Sequence, residues 1–481
     1  MMFKEIEKLI ESKQEEYFTL SDRIWDIAET KFHEQESAKT VIAVLEKEGF
    51  SIEENIADID TAFIATYGSK GPIIGFLGEY DALPELNQKA GATHKETDPS
   101  LGTTNGHGCG HNLLGTASLA AAVATRDYIK ENNIDAQIRY YGCPAEEGGS
   151  GKTYMARAHA FDDLDMALCW HPGTDNAIIA SPTLANIQAV FEFKGKSSHA
   201  ANSPDMGRSA LDAMELMNVG ANYLREHVTP EARYHYAVLD GGGMQPSVVQ
   251  AHAKSLYLIR APKAFQVKDI YDRLCNCAKG AALMTGTEVE IHFDKACSNY
   301  MPNKVYSKLM SECMFEVGAP QFDEEDIAFA KEMHASLTED EKKFMMVPPV
   351  TAIEKQVLGA NQGKVLADYI YPFNEALTNL TMPGSTDVGD VSWVVPTAQC
   401  VMTTEVLNTA LHSWQWVANG KTNIAKKGML QAAKVMATTA MKAIENPEYI
   451  KQAKAELAEV TKQTPYVNPI PADVKPNSLG L

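Results

Sequence analysis

Three potential metal ligands, His107, Cys109 and His111, lie within five residues of one another and are separated by single glycines. Imidazole and thiolate groups are typical ligands of zinc-like ions. The intervening glycines matter because bulky side chains would keep the backbone from folding back around a small ion. The run Asn-Gly-His-Gly-Cys-Gly-His, residues 105–111, therefore predicts a metal site to which the rest of the fold must bring further ligands.

The size and charge of the chain exclude several classes of protein. Its 481 residues exceed one ordinary core and predict two to three domains. The net charge of −20 argues against nucleic-acid and anionic-membrane partners, because both favour basic surfaces. No apolar run reaches the roughly 20 residues that a membrane span needs, and the first residues lack a signal-peptide core. Eight cysteines are too few for a disulfide scaffold, so we expect a reducing, cytoplasmic location.

Short apolar runs alternate with helical patterns in the first part of the chain. The first ~50 residues read as two helices. Strands are predicted at 73–78, 137–141 and 166–170, and a small apolar helix at 113–124. This alternation predicts an α/β fold with helices on both faces of a sheet.

From about residue 186 the pattern becomes strand, helix, strand, strand, helix, strand. This order is typical of a ferredoxin-like domain. We therefore predict a catalytic domain whose first part is 1–185, an inserted domain at 186–299, and a second catalytic part at 300–481. The tail from Thr464 holds four prolines and is expected to lie extended over the surface.

Two adjacent carboxylates, Glu146 and Glu147, follow one predicted strand, and His171 follows another. In open α/β sheets ligands bind outside the carboxyl ends of the strands, so these residues should approach the 105–111 segment. One carboxylate can bind a metal while the other stays free to move a proton. Alternatively, the glutamates are a solvated loop pair and His171 is a hydrogen-bonded histidine at a strand end.

Three further residues are candidates for the same site. His107 is either a ligand or a residue that supports one. Asp81 follows the strand at 73–78 and would either orient a ligand or cap a turn. His412 stands alone in its segment and has little support from pattern.

The inserted domain carries two candidates for substrate contacts. His199 follows a strand, but it could be an ordinary surface histidine. Arg260 ends a strand, where it would be either a salt-bridged edge residue or a clamp for a carboxylate.

Together these motifs resemble the two-metal amidohydrolases of the aminoacylase/carboxypeptidase family. The resemblance covers essentially the whole chain. It rests on the segments Glu79-Tyr80-Asp81-Ala82-Leu83-Pro84, His107-Gly108-Cys109-Gly110-His111, Pro144-Ala145-Glu146-Glu147-Gly148-Gly149, His171-Pro172, Ser198-His199-Ala200-Ala201 and His412.

The resemblance implies a role for each matched residue. Glu146 is expected to be the general base, and His199 to reach across a dimer interface to the scissile carbonyl. Arg260 is implied to bind a substrate carboxylate, and Asn202 and Ser247 are further candidates for substrate contacts. Asp81 and His107 remain candidates for supporting the ligands. The implied metal ligands are Cys109, His111, Glu147, His171 and His412.

The implied fold is a zinc-peptidase-like catalytic domain with a mixed sheet, interrupted by a ferredoxin-like lid that also serves dimerisation. The implied cofactors are two divalent ions per subunit. Zinc suits thiolate and imidazole ligands and manganese suits carboxylates, so Mn²⁺ and Zn²⁺ both remain open.

The implied reaction is hydrolysis of an amide in a small N-acyl amino acid, with p-aminobenzoyl-glutamate as the expected substrate. Other N-acyl amino acids or dipeptides are the first alternative, and a weakly catalytic partner subunit is the second. The chain would act as a homodimer or as a hetero-oligomer with a paralogous A-type subunit.

Two positions depart from the family pattern. Asn112 stands where an aspartate is usual after Cys-Gly-His, which removes a charge near the predicted site. Ser247 stands where the family often has an asparagine, which removes an amide donor that could orient the substrate.

Overall fold

The computed structural model describes residues 2–346 and 348–480, which form two compact units. The first unit contains Met1–Ser181, Met301–Leu380 and Val391–Tyr466. The second contains Pro182–Tyr300, Thr381–Asp390 and Val467–Leu481. The second unit thus includes two segments that the sequence pattern assigns to the catalytic part. The predicted role of 186–299 as a lid and dimerisation domain stays a prediction.

Strands and helices alternate in the middle of the described chain, and helices predominate towards both ends. The strands are β1 (Ser51–Glu54), β2 (Phe63–Tyr67), β3 (Ile73–Gly78), β4 (Gln137–Gly142), β5 (Met166–Gly173), β6 (Ala177–Ile178), β7 (Ala185–Lys194), β8 (Arg233–Asp240), β9 (His252–Ala261), β10 (Glu288–Cys297) and β11 (Thr397–Thr403). The helices are α1 (Met2–Glu11), α2 (Gln14–Ile27), α3 (Gln35–Lys47), α4 (His111–Glu131), α5 (Gly151–Arg157), α6 (Ala210–Leu224), α7 (Ala264–Thr285), α8 (Lys304–Val317), α9 (Glu324–Ala335), α10 (Ala352–Ala360), α11 (Val388–Val394), α12 (Trp414–Asn419), α13 (Asn423–Glu445) and α14 (Pro447–Gln463).

The first unit is built on a mixed sheet with the strand order β1-β2-β4-β3-β5-β11-β6. Its four central strands, β4, β3, β5 and β11, are parallel to their neighbours within that group. Their carboxyl ends therefore meet along one edge of the sheet. Segments that follow these four strands can converge there although they are far apart in the sequence.

Helix α4 connects this edge to the core of the first unit. Its side chains are buried almost throughout, from His111 to Ile129, because small residues let the helix pack closely against β3 and α13. The predicted helix at 113–124 is thus longer than expected at both ends. The first 50 residues contain three helices instead of the predicted two, because a turn at Ser12 and Lys13 separates α1 from α2.

The second unit has the element order β7-α6-β8-β9-α7-β10. Its sheet is antiparallel with the strand order β10-β7-β9-β8, so β8 and β10 are the edge strands. Alternate residues of β9 are buried, as expected for a sheet with one face against helices. This is the βαββαβ arrangement that the sequence pattern indicates.

None of the described helices is both long and apolar enough to cross a membrane.

Candidate metal centre

The glycine-rich segment before α4 is held close to neighbouring backbone and side chains. Gly110 has φ 76°, and its position directly before the first turn of α4 requires this left-handed conformation. A Cβ atom at Gly106 would lie 2.2 Å from the carbonyl oxygen of Leu86. Larger residues would therefore push the segment away from its neighbours and displace the ligands that it carries.

Two groups of ligand atoms meet at the carboxyl edge of the sheet. Cys109, His111 and His171 form the first group, and Cys109, Glu147 and His412 form the second. Within each group the nearest ligand atoms all lie within 4.8 Å of one another. The structure thus brings together the five residues that the resemblance implies as ligands, and the Cys109 thiol belongs to both groups.

Hydrogen bonds fix which ring nitrogen of His111 and of His171 faces its ligand group. His111 Nδ1 lies 2.8 Å from Asp81 Oδ1, and His171 Nδ1 lies 2.7 Å from the carbonyl oxygen of Pro172. In both residues Nε2 therefore faces the other ligand atoms. His171 Nε2 lies 3.4 Å from Cys109 Sγ. This is the usual way in which a neighbouring acceptor orients a ligating histidine.

His412 reaches the site from a loop after β11. Its Nε2 lies 3.4 Å from Glu147 Oε2, and its backbone N–H donates to the carbonyl oxygen of Gly108 at 2.9 Å. Its φ of 62° is unusual for a residue with a side chain. Half of its side chain remains exposed, in contrast to the fully buried His111.

The buried atoms of these groups fit a bound cation. His111 Nε2 and Glu147 Oε1 are buried and lack a hydrogen-bond partner. Such unpaired buried atoms are rare in proteins and often indicate an ion. Burial also raises the pKa of the Cys109 thiol and of the Glu147 carboxyl, and a divalent ion would offset that cost. The donor set therefore suits divalent metal.

Glu146 lies beside the ligands on the turn that follows β4. It forms a third group of nearby donor atoms with Glu79 and His111. Burial and the neighbouring Glu79 carboxylate raise the pKa of Glu146, while His111 and Lys152 oppose this rise. Glu146 and Glu147 are adjacent in the sequence, but their side chains belong to different groups of donor atoms.

Asp81 contacts both the histidine and the acidic turn. Its Oδ1 lies against His111, and its Oδ2 accepts the backbone N–H of Glu147 at 2.8 Å. His107 is not part of any ligand group within the described residues. Its Nε2 lies 3.1 Å from the carbonyl oxygen of Ile24, so it ties the glycine-rich segment to α2.

The departure at Asn112 is directed away from the ligands. Its amide donates to Ser21 Oγ at 3.0 Å and to the carbonyl oxygen of Gly420 at 3.2 Å. An amide suits this buried position, because it can donate to both acceptors without adding a buried charge.

A buried ion pair that the sequence did not predict lies beside the site. Lys152 Nζ lies 2.6 Å from Glu79 Oε1, and both side chains are almost fully buried. Glu79 Oε2 in turn lies 3.2 Å from His111 Nε2, without hydrogen-bond geometry. Glu79 could have been predicted as a site residue, because it is a carboxylate that directly follows β3. Lys152 offered no such signal, because its partner is far away in the sequence.

Replacing only the lysine of this ion pair should lower the free energy of unfolding. We expect Lys152→Met to destabilise the protein by about 3–5 kcal/mol, since it leaves a buried carboxylate without its cation. Glu79→Gln combined with Lys152→Met should recover at least half of that loss. Urea unfolding followed by circular dichroism measures both effects. Equal destabilisation in the single and double variants would contradict this explanation, because no stability would be recovered when the carboxylate is also removed.

The candidate substrate residues lie in the second unit, at two different places. His199 is exposed, and its Nδ1 accepts the backbone N–H groups of Ala201 and Asn202 at 3.2 and 3.1 Å. Ser247 is adjacent, since its carbonyl oxygen accepts the N–H of Ala200 at 2.9 Å. Arg260 lies elsewhere, opposite Asn186 in the sheet, with a buried Nε that has no hydrogen-bond partner.

The two places are at opposite ends of the sheet of the second unit. Residue 252 of β9 pairs with residue 194, just before the His199 loop, and Arg260 is eight residues further along the strand. At about 3.3 Å per residue this corresponds to roughly 26 Å. One second unit therefore does not bring His199 and Arg260 to a single small molecule.

A fourth group of potential ligands, Glu192, Glu290 and His292, lies on the sheet of the second unit. Lys254 Nζ lies 3.3 Å from Glu192, and Lys194 Nζ lies 2.5 Å from Glu290. These lysines already neutralise the two carboxylates, so this group has little to attract a cation.

Comparison with known proteins agrees with this geometry. The family model for peptidase family M20/M25/M40 matches residues 75–471. The B-type subunit of the p-aminobenzoyl-glutamate hydrolase of Escherichia coli strain K12 is 45% identical over 99% of both chains. The Xaa-Arg dipeptidase of Mus musculus is 27% identical over 93% of this chain and 90% of its own.

A solved structure shares the fold at much lower identity. It is the aminobenzoyl-glutamate utilization protein from Klebsiella pneumoniae, with a TM-score of 0.57 and 16% identity over 88% of this chain and 98% of its own. These findings confirm the predicted family resemblance, the mixed α/β fold and the enzyme class, a metal-dependent amidohydrolase. The chain belongs to peptidase family M20/M25/M40.

Proposed function

We propose that this protein hydrolyses the amide bond of p-aminobenzoyl-glutamate, a folate breakdown product, and releases p-aminobenzoate and glutamate. The observation that carries the proposal is the likeness to the Escherichia coli hydrolase chain over nearly the full length of both proteins. The arrangement of ligand groups and a neighbouring carboxylate at one sheet edge supports it, because this is the equipment that metal-assisted hydrolysis needs.

Two divalent ions would occupy the two ligand groups. The first would be held by Cys109, His111 and His171, and the second by Cys109, Glu147 and His412. The shared thiolate and the histidines favour Zn²⁺, whereas the carboxylate is equally suited to Mn²⁺. When bound, such ions polarise a carbonyl group and make water more acidic.

The residues of the chain supply the proton transfers and the orientation. Glu146 accepts a proton from the attacking water and then donates it to the departing amine. Asp81 holds His111 and the backbone of Glu147 in place, and His107 fixes the glycine-rich segment against α2. These contacts restrict the motion of the ligands, which keeps the reacting groups aligned.

Substrate recognition falls to the second unit. Arg260, with its unpaired buried Nε, would bind the carboxylate of the glutamate half. His199 would stabilise the carbonyl oxygen of a substrate held in a neighbouring protomer, with Asn202 and Ser247 beside it. The separation of Arg260 from His199 along β9 supports this division between two chains.

The protein would act as a homodimer or as a hetero-oligomer with a paralogous A-type subunit. The second unit, including residues 186–299, would serve as lid and dimerisation domain. Edge strand β8 supports this role, because Tyr236 and Val238 are 40% and 54% exposed there. Helix α6 adds Val219 and Tyr223, which are 51% and 74% exposed. Exposed apolar side chains beside an open strand edge are typical of an interface.

Dipeptide hydrolysis is a second candidate, since a dipeptidase is 27% identical over most of the chain. A weakly catalytic partner subunit is a third candidate. The presence of both ligand groups and of Glu146 argues against it.

The deciding experiment combines metal analysis with activity of the chain purified alone. We expect two divalent ions per chain and turnover of p-aminobenzoyl-glutamate in preference to N-acyl aspartates and dipeptides. Preferred turnover of dipeptides would favour the second candidate. Substoichiometric metal and activity that appears only on adding the A-type subunit would favour the third.

A further inference from the structure

The backbone on both sides of Glu146 is held by buried carboxylates. The N–H of Ala145 donates to Glu34 Oε1 at 2.9 Å, and the N–H of Glu147 donates to Asp81 Oδ2 at 2.8 Å. Asp81 also contacts His111, so its place in the site is explained. Glu34 touches no predicted ligand and comes 111 residues before Ala145 in the sequence.

Glu34 is completely buried at the start of α3. Its Oε2 accepts the hydroxyl of Thr61 at 3.0 Å, and the carbonyl oxygen of Thr61 accepts the hydroxyl of Tyr80. Tyr80 directly precedes Asp81. A continuous chain of contacts therefore encloses the acidic turn, from Glu34 through Thr61 and Tyr80 to Asp81.

The residue that Glu34 holds has an unfavourable backbone conformation. Ala145 has φ 59°, in the left-handed region where a side chain is strained. Such a conformation persists only where the surrounding structure imposes it. Burial, together with the charge of Asp81, raises the pKa of Glu34, so this carboxyl is itself costly to bury. A strained backbone and a costly buried carboxyl group therefore meet at Ala145, the residue that precedes Glu146.

We propose that Glu34 is a positioning residue for the reaction. By accepting the N–H of Ala145 it fixes the left-handed turn that presents Glu146, and this inference rests on the proposed role of Glu146 as the base. A displacement of about 1 Å at a reacting group can cost about 100-fold in rate. Glu34 therefore controls kcat without touching the substrate.

Two substitutions of similar size separate the hydrogen bond from packing. Glu34→Gln keeps an oxygen that can accept the Ala145 N–H, whereas Glu34→Met fills the space without an acceptor. We expect Glu34→Met to lower kcat by about 100-fold, with KM within about threefold and both ions retained. Glu34→Gln should keep kcat within about fivefold of the wild-type value, which a loss of stability alone would not predict.

Steady-state kinetics, metal content and thermal unfolding of each variant test the proposal. Equal kcat values for Glu34→Gln and Glu34→Met would overturn it. If Glu34→Met does not fold, Glu34→Ala replaces it, and a kcat within threefold of wild type would again overturn the proposal. Thr61→Val is the control, because it removes the other hydrogen bond of Glu34 and leaves that to Ala145.

Failure of this inference can be told apart from failure of the proposed function. If the Glu146→Gln variant is active, Glu146 is not the general base, and there is no reason for the protein to position it. An inactive Glu146→Gln variant beside a fully active Glu34→Met variant would leave the proposed function intact and refute only the role of Glu34.

Discussion

Glu146→Gln is expected to lower kcat by about 10³-fold or more while both ions stay bound. The amide is nearly identical in shape to the carboxylate but cannot accept the proton of water, so proton transfer to the leaving amine is lost as well. Glu146 contributes to neither of the two ligand groups that contain Cys109. The measurement is turnover of p-aminobenzoyl-glutamate together with metal content after dialysis.

Glu147→Gln is the matched control for this prediction. It makes the same chemical change one residue further along the chain, but in a predicted ligand. It should release one ion, whereas Glu146→Gln should release none. Loss of metal from Glu146→Gln would contradict the assignment and would point instead to the group of Glu79, His111 and Glu146 as an ion site.

Cys109→Ala should release both ions, because this thiol belongs to both ligand groups. His171→Ala and His412→Ala each change one group only, so each variant should keep one ion per chain. We expect affinity in Cys109→Ala to fall by more than the 10–100-fold typical of losing a supporting residue. Metal content per chain at increasing chelator concentration distinguishes these outcomes.

Cys400→Ala is the control for loss of a buried thiol. Cys400 is fully buried in β11 and belongs to none of the ligand groups in the described chain. It should keep two ions and wild-type activity. If Cys109→Ala kept one ion, the thiolate would bind only one of the two metals. The two ions would then be bound more independently than we propose.

Much of the ligand set could be predicted because its signals are local. The glycine-rich run around Cys109 and the pair Glu146-Glu147 are visible in short stretches of sequence, and each follows or precedes a regular element. His412 had no such context. Only the strand order places its loop beside Gly108, and its left-handed backbone has no clear sequence signature.

The supporting contacts could not be predicted for a related reason. Lys152 and Glu79 are 73 residues apart in the sequence, and Glu34 meets Ala145 across 111 residues. Such pairs depend on which strands are neighbours, and hydrophobic periodicity does not determine strand order. The same limitation applies to β9, where strand length alone separates Arg260 from the His199 loop.

The half-exposed side chain of His412 has a consequence for how the centre would exchange its ions. The other group would hold its ion with Cys109 and His111 buried and His171 half-buried, so release there requires local opening of the protein. In the group of Cys109, Glu147 and His412, rotation of one solvent-facing imidazole would uncover the ion. The bound lifetimes of the two ions would then differ by more than their ligand atoms suggest. The identity of the metal beside His412 would depend on which divalent ions are available in solution.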